Sequence, residues 1–264
     1  MKTILDQIIE TKKDEIRALK ESFTYRDFEV SPYFTMPCRS ISEGLKNGGF
    51  GIIAEMKRKS PSAGVINEKL DVKVLAKAYK DGGAIAISCL TDSTYFGGSN
   101  EDIAVIRKAV DLPILRKEFI LDELQLFESK AIGADAILLI ASVLSKEEAL
   151  HLTIMAQQLG MEVLMEFHDQ SELFKLNEFV DIIGINNRNL HAQKTDINQS
   201  YELFNYLPYD RTIISESGIS TNEEINKLAE LGYHGALMGE RILNDPMPSD
   251  FIASLTRKNS VPCL

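Results

Sequence analysis

The chain has 264 residues, 44% hydrophobic and 26% charged, with a formal net charge of −10. That acidity argues against a nucleic-acid partner, since a phosphate backbone needs an excess of Lys and Arg, yet leaves room for a local basic pocket. No apolar run is long enough to span a bilayer.

Three widely spaced cysteines (Cys38, Cys89, Cys263) form no CxxC, and four histidines (His151, His168, His191, His234) form no HExxH or other ligand spacing. Neither a disulfide framework nor a metal site is therefore expected, and a reducing cytoplasm is the expected setting. The opening stretch, MKTILDQIIETKKDEIRALK, lacks a secretory apolar region. Its Ile4, Leu5, Ile8, Ile9, Ile16 and Leu19 recur at roughly helical spacing and predict an amphipathic helix. Residues 1–50 hold too little apolar material to fold alone, so they are expected as one or two extra helices packed on the main body.

From residue 51 one unit recurs: a helix-like stretch, a glycine, then a short apolar run. It is seen in YKDGGAIAISCL, SKAIGADAILLIAS, AQQLGMEVLMEF and AELGYHGALMG. Glycine just past a helix accepts the left-handed conformation that ends it. The run that follows reads as a strand buried on both faces. Eight such runs fall at 51–57, 84–90, 113–119, 136–142, 162–167, 181–187, 211–217 and 235–240. Their starts are spaced widely enough for a crossover helix each time. KLDVKVLAKAYKDG, SNEDIAVIRKAV, LSKEEALHLTIMAQQLG and STNEEINKLAELG fill four of the gaps, the last with Ser220 or Thr221 as N-cap. Eight alternating units predict an α/β chain folded as a (β/α)8 TIM barrel, one domain over 1–264 with a helical extension at 1–50. A doubly wound open sheet alternates similarly, but no GxGxxG fingerprint supports it.

In such a barrel the active site lies at the carboxyl ends of the strands, and there this sequence turns polar. GIIAEMKRKS carries Glu55 and Lys57 on one face, PILRKEF carries Lys117, EVLMEF Glu166, DIIGINN Asn186 and RTIISES Glu216. A single polar residue there means only that the chain is reaching water. Two lysines and three glutamates converging from several strands are different, because burying them unpaired costs several kcal/mol per ion. The loop KRKSPSAG offers Lys57, Lys59, Ser60 and Ser62 as donors, and SESGIS and MGERIL place Gly218 and Gly239 just past the last two strands. GERIL suits the short helix whose N-terminus holds phosphate in many barrels. A phosphorylated small-molecule substrate is therefore expected. His168, just past Glu166, is either a general base or a capping residue. Tyr95 and Phe96, in STYFGGS, form either an aromatic lid or a plain turn.

The segments IIAEMKRKSPSAG, LTDSTYFGGS, PILRKEFI, ILLIAS, VLMEFHD, IGINNRNL, ISESGIS and ALMGERIL, in order over residues 51–243, resemble the indole-3-glycerol phosphate synthase family. The resemblance implies a lyase of tryptophan biosynthesis. It would convert 1-(2-carboxyphenylamino)-1-deoxyribulose 5-phosphate to indole-3-glycerol phosphate, carbon dioxide and water, without cofactor or metal. It implies Lys117, the lysine of the family's RKDF pattern, as the general acid of ring closure. Lys57 would bind the carboxylate or act as acid in the dehydration. Glu166 would be the base or would stabilise positive charge on the anilino nitrogen. Glu55, Asn186 and Glu216 would orient hydroxyls and the lysines. Ser60, Gly218, Gly239 and Glu240 would line the phosphate, and Phe96, Phe119, Leu138 and Leu190 would hold the aromatic ring, with Arg188 and Ser217 close by.

Glu118 and Asn189 stand where the family usually has aspartate; strand parity turns Glu118 away from Lys117, so little effect is expected. Lysine in apolar surroundings gives up its proton more readily, an effect that Glu55 and Glu216 oppose. The rivals are a sugar-phosphate isomerase, which would want Cys/Asp or paired aspartates at the strand ends, and a catalytically dead barrel, which would lack one of these charges. The loop at 58–64 is expected to close over substrate. Association with other tryptophan-pathway enzymes is compatible with the resemblance, and no residue pattern marks it.

Overall fold

A strand that is apolar on both faces needs cover on both, and eight of them obtain it by closing on one another. The computed structural model describes residues 2–188 and 195–256. It shows a closed barrel of parallel strands in sequential order, the eighth pairing with the first. The strands are β1 Gly51–Met56, β2 Ala86–Leu90, β3 Ile114–Lys117, β4 Ala136–Ile140, β5 Glu162–Phe167, β6 Ile182–Asn186, β7 Thr212–Glu216 and β8 Gly235–Met238.

Alternation along each strand divides the apolar residues into two cores. Ile53, Ala86, Leu115, Ala136, Leu138, Leu164, Ile182, Ile214 and Leu237 fill the barrel interior. Ile52, Ala54, Ile87, Ile114, Ile137, Met165 and Ile183 face outward under the helices.

The four expected helices form at Val72–Asp81, Asn100–Ala109, Lys146–Gln158 and Asn222–Leu231. Thr221, not Ser220, caps the last, in a reciprocal capping box with Glu224, and Gly232 ends it at φ 110°. The crossover between β5 and β6 differs from expectation: it is a 3₁₀ helix, Gln170–Lys175, not an α-helix.

The extension holds three helices where one or two were expected. They span Ile4–Ser22, Tyr25–Glu29 and Ile41–Asn47. The two short ones owe their starts to local chemistry, a Thr24/Asp27 capping box and the Ser40 N-cap. Ile41 and Leu45 pack with the interior core and plug the amino-terminal end of the barrel. The Glu162 carboxylate, at the start of β5, secures that plug by accepting from the N–H groups of Ile41 and Ser42 at 2.7 and 3.1 Å. Tyr25 and Phe34 pack on Phe127 of the helix after β3, at 4.5 and 5.7 Å between ring centroids.

Candidate active site

The interior alternation also sets the mouth. Two residues beyond an inward apolar or glycine position comes an inward polar one: Ile53 then Glu55, Leu115 then Lys117, Leu164 then Glu166, Gly184 then Asn186, Ile214 then Glu216. Lys57 and Phe119 continue the same parity just past the ends of their strands, which are shorter than the apolar runs suggested.

These side chains converge on a cavity of about 630 Å³. Of the sixteen site residues expected, fifteen line it: Glu55, Lys57, Ser60, Phe96, Lys117, Phe119, Leu138, Glu166, Asn186, Arg188, Glu216, Ser217, Gly218, Gly239 and Glu240. Leu190 lies outside the described residues, as does Asn189. Ser62 also faces the cavity, whereas Lys59, named above as a donor, does not.

Lys117 stands at the centre. Its Nζ lies 3.1 Å from Glu166 Oε2 and closer still to Glu216 Oε2. Lys57 Nζ donates to Glu55 Oε1 at 2.5 Å. Space for these carboxylates comes from glycine on, or just past, the neighbouring strand. A Cβ at Gly184 would overlap Glu216 Oε1, and one at Gly239 would come within 2.5 Å of Glu55 Oε1.

Burial and charge push the groups apart. Burial alone would lower the Lys117 pKa; Glu216, Glu166 and Glu55 more than reverse that and hold the ammonium above the ordinary lysine value. The effect expected from apolar walls is thus overturned by the three carboxylates. Burial raises both acids of the pair as well. For Glu166, Lys117 and His168 win, and it is held well below the usual carboxylate range. For Glu216, burial and the neighbouring Glu166 win, and its pKa is pushed up to about 7. The two carboxylates around one cation are thus pushed in opposite directions, Glu166 down and Glu216 up.

His168 belongs to this group. Its Nε2 is 3.1 Å from Glu166 Oε1, its ring is buried, and despite that burial Glu166 and Glu172 raise its pKa.

At the opposite side, Ser217 and Gly218 take left-handed φ values of 67° and 74°, Ser217 being the one non-glycine residue with positive φ among those described. The chain therefore makes a tight turn there, bringing backbone N–H groups to the cavity wall that both residues line. Gly239 opens the short helix Glu240–Leu243 beside them, as GERIL suggested. Arg188 spans this end: Nη1 donates to Ser62 Oγ of the loop after β1, and Nη2 sits 3.8 Å from Glu240 Oε2. In that loop Lys59–Ser60 pairs with Gly64–Val65, an antiparallel hairpin the sequence reading missed.

The third wall is aromatic. Phe96 and Phe119 lie 6.2 Å apart between centroids. Phe96 ends a short helix, Ser93–Phe96, whose Tyr95 and Phe96 N–H groups are capped by Asp92. Tyr95 faces the extension instead, its hydroxyl 2.9 Å from Thr11 Oγ1.

Other residues of the site had no sequence signal of their own. Ile4, Leu5 and Ile8 of the first helix line the cavity; their periodicity announced a helix but not what its face would cover. Asn187, 1% exposed, ties β7 to the helix at Asn198–Leu203. Its Nδ2 donates to Ser215 Oγ at 2.9 Å, and its Oδ1 accepts from Ser200 Oγ at 2.8 Å.

A closed parallel barrel with a charged cavity at the carboxyl ends of its strands defines the class: a (β/α)8 barrel with its site at the strand ends. Comparison with known proteins makes this specific. The family model for indole-3-glycerol phosphate synthase matches residues 5–255. The indole-3-glycerol phosphate synthase of Bacteroides thetaiotaomicron is 41% identical over 257 residues, 97% of this chain and 99% of that protein. That of Acetivibrio thermocellus is 41% identical over 244 residues, 91% of this chain and 94% of its own. The fold is also that of the tryptophan synthase alpha subunit from Legionella pneumophila, with TM-score 0.59 and 16% identity over 82% of this chain and 97% of that one. The chain belongs to the indole-3-glycerol phosphate synthase family, carboxy-lyases of tryptophan biosynthesis.

Proposed function

We propose that this site closes, decarboxylates and dehydrates 1-(2-carboxyphenylamino)-1-deoxyribulose 5-phosphate to indole-3-glycerol phosphate, with Lys117 as the general acid of ring closure. The observation that carries the reading is Lys117 held between Glu166 and Glu216, with a phosphate-suited turn on one side of the cavity and an aromatic wall on another.

The phosphate sits against Ser60, Gly218, Gly239 and Glu240, and the benzoate ring lies along Phe96, Phe119 and Leu138. The ring carbon bearing the carboxylate attacks the keto carbon, and the keto oxygen takes a proton from Lys117. An ammonium held above its usual pKa is a weak acid toward a ketone but a competent one toward the alkoxide that develops in the transition state. Electron withdrawal from the anilino nitrogen leaves positive charge there, which the ionised Glu166 faces. Loss of carbon dioxide returns the electron pair to the ring. The new hydroxyl then leaves as water, protonated by one lysine, while a carboxylate removes the proton whose loss completes the indole. Lys57, paired with Glu55, is placed to hold the substrate carboxylate or to supply the second proton. Arg188 and Ser217 border the phosphate, and Asn186 orients the hydroxyls.

The test is indole fluorescence on mixing EDTA-treated protein with the substrate, for wild type and Lys117→Met. Product from the wild type and a loss of about 10²–10⁴-fold in kcat for the variant is the expected result. Equal rates would move the acid role to Lys57; no indole from the wild type would overturn the reaction.

A further inference from the structure

Lys12 lies in the middle of the first helix, and its side chain is only 3% exposed. Its Nζ contacts Glu15 Oε2 at 2.7 Å, Asp92 Oδ2 at 2.8 Å and Glu118 Oε1 at 3.0 Å. The last two carboxylates have second duties. Asp92 caps the N–H groups of Tyr95 and Phe96. Glu118 accepts from the N–H of Phe119 at 2.9 Å and from the hydroxyl of Thr91 at 2.7 Å. One ammonium therefore joins the two acids that fix the backbone at Phe96 and at Phe119, the two rings of the aromatic wall. It also holds down the helix whose Leu5 and Ile8 line the same cavity.

Building on the reaction proposed above, we infer that Lys12 is a positioning residue: it sets the spacing of Phe96 and Phe119 and keeps the first helix over them, and so governs binding of the aromatic part of the substrate. Lys12 does not itself line the cavity. Its effect passes through Asp92 and Glu118, whose carboxylate serves Lys12, Thr91 and the Phe119 N–H together.

A wall that holds the ring equally in ground and transition states affects KM and leaves kcat alone. The experiment compares wild type, Lys12→Met and Lys12→Arg for KM and kcat, with inhibition constants for 2-aminobenzoate, which probes the ring site, and inorganic phosphate, which probes the opposite end. For Lys12→Met, KM and the 2-aminobenzoate constant should rise about tenfold, as a displacement well under an ångström can produce. The kcat and the phosphate constant should stay within about twofold, and Lys12→Arg, which keeps a cation facing the carboxylates, should recover part of the loss. Unchanged KM, or equal rises in both inhibition constants, would overturn the inference, the second by revealing general loosening. If Lys12→Met does not fold, Asp92→Asn, which leaves Lys12 two acceptors, must show the same split between the two inhibitors, and its absence overturns the inference as well. A wild type that makes no indole defeats the reaction and not the positioning role, because direct calorimetric binding of 2-aminobenzoate and of phosphate reads the same split without turnover.

Discussion

Lys117→Met should destabilise the fold in a way that acid repairs. Methionine replaces the aliphatic stem closely enough to leave little cavity, so what the substitution removes is the ammonium that Glu166 and Glu216 share. Those side chains are 4% and 1% exposed, so water offsets only part of the loss of the cation. An ion pair at the 3.1 Å of Lys117 and Glu166 is worth about 5 kcal/mol at an effective dielectric constant near 20. Removing one partner of a buried set costs about 3–5 kcal/mol. Without Lys117, burial and each other's charge push the two carboxylates upward from the unfolded value of about 4.3. For an acid raised in this sense, the folded state binds the proton more tightly. Stability is then full below the unfolded value and is lost as pH rises through the folded one. The deficit relative to wild type should therefore be about 3–5 kcal/mol at about pH 8 and shrink markedly at about pH 5. Urea midpoints of both proteins at the two pH values measure it. Adding Glu216→Gln to Lys117→Met removes one of the stranded charges and should recover part of the loss at the higher pH. A deficit that is the same at both pH values would refute the electrostatic account and assign the cost to packing.

Glu216→Gln alone should abolish the limb that Glu216, its pKa raised to about 7, is expected to put into the kcat/KM profile, and should flatten the fall in stability as pH rises toward that value; a persistent limb in both profiles counts against Glu216. Gly184→Ala should cost about 1–3 kcal/mol in thermal stability. It should also depress turnover, because the new Cβ overlaps Glu216 Oε1 and forces it off Lys117; wild-type turnover in the variant would mean that the strand relaxes freely. Arg188→Ala frees Ser62 from its donor, so limited proteolysis should cut the 58–64 loop faster than in wild type, and substrate should protect the wild-type loop more; equal cleavage in all cases would deny that Arg188 restrains the loop.

The barrel and most of its mouth were legible because both follow from a period of two. Once Ile53, Leu115, Leu164 and Ile214 are assigned inward, Glu55, Lys117, Glu166 and Glu216 can go nowhere else. What stayed hidden depends on distances between segments far apart in the chain. The balance that keeps Lys117 charged rests on where three carboxylates from β1, β5 and β7 end up. That His168 reaches Glu166, at 3.1 Å from its ring, likewise had no local signal. Leu5 and Ile8 announced a helix, and Lys12 carried no signal of its own, because nothing local says that Asp92 and Glu118 wait beneath it.

The three adjacent charges of PILRKEFI show why such a run can sit at the edge of a core. They serve three separate layers. Arg116 turns outward, where five hydrogen bonds, to Thr91, Gln125, Ser129, Asn100 and Glu128, bind the strand to the helices around it. Lys117 turns inward to the mouth. Glu118, just past the strand, accepts from Thr91 and Lys12 and so reaches the first helix. Thr91 accepts from Arg116 and donates to Glu118, joining the outer layer to the extension through one hydroxyl. None of the three charges is left unpaired, which is the condition for burying them at tolerable cost. The same pairing places Lys117 between two anchored neighbours, so its backbone has little freedom to move, and an acid that must meet one developing oxygen within hydrogen-bond reach needs that restriction.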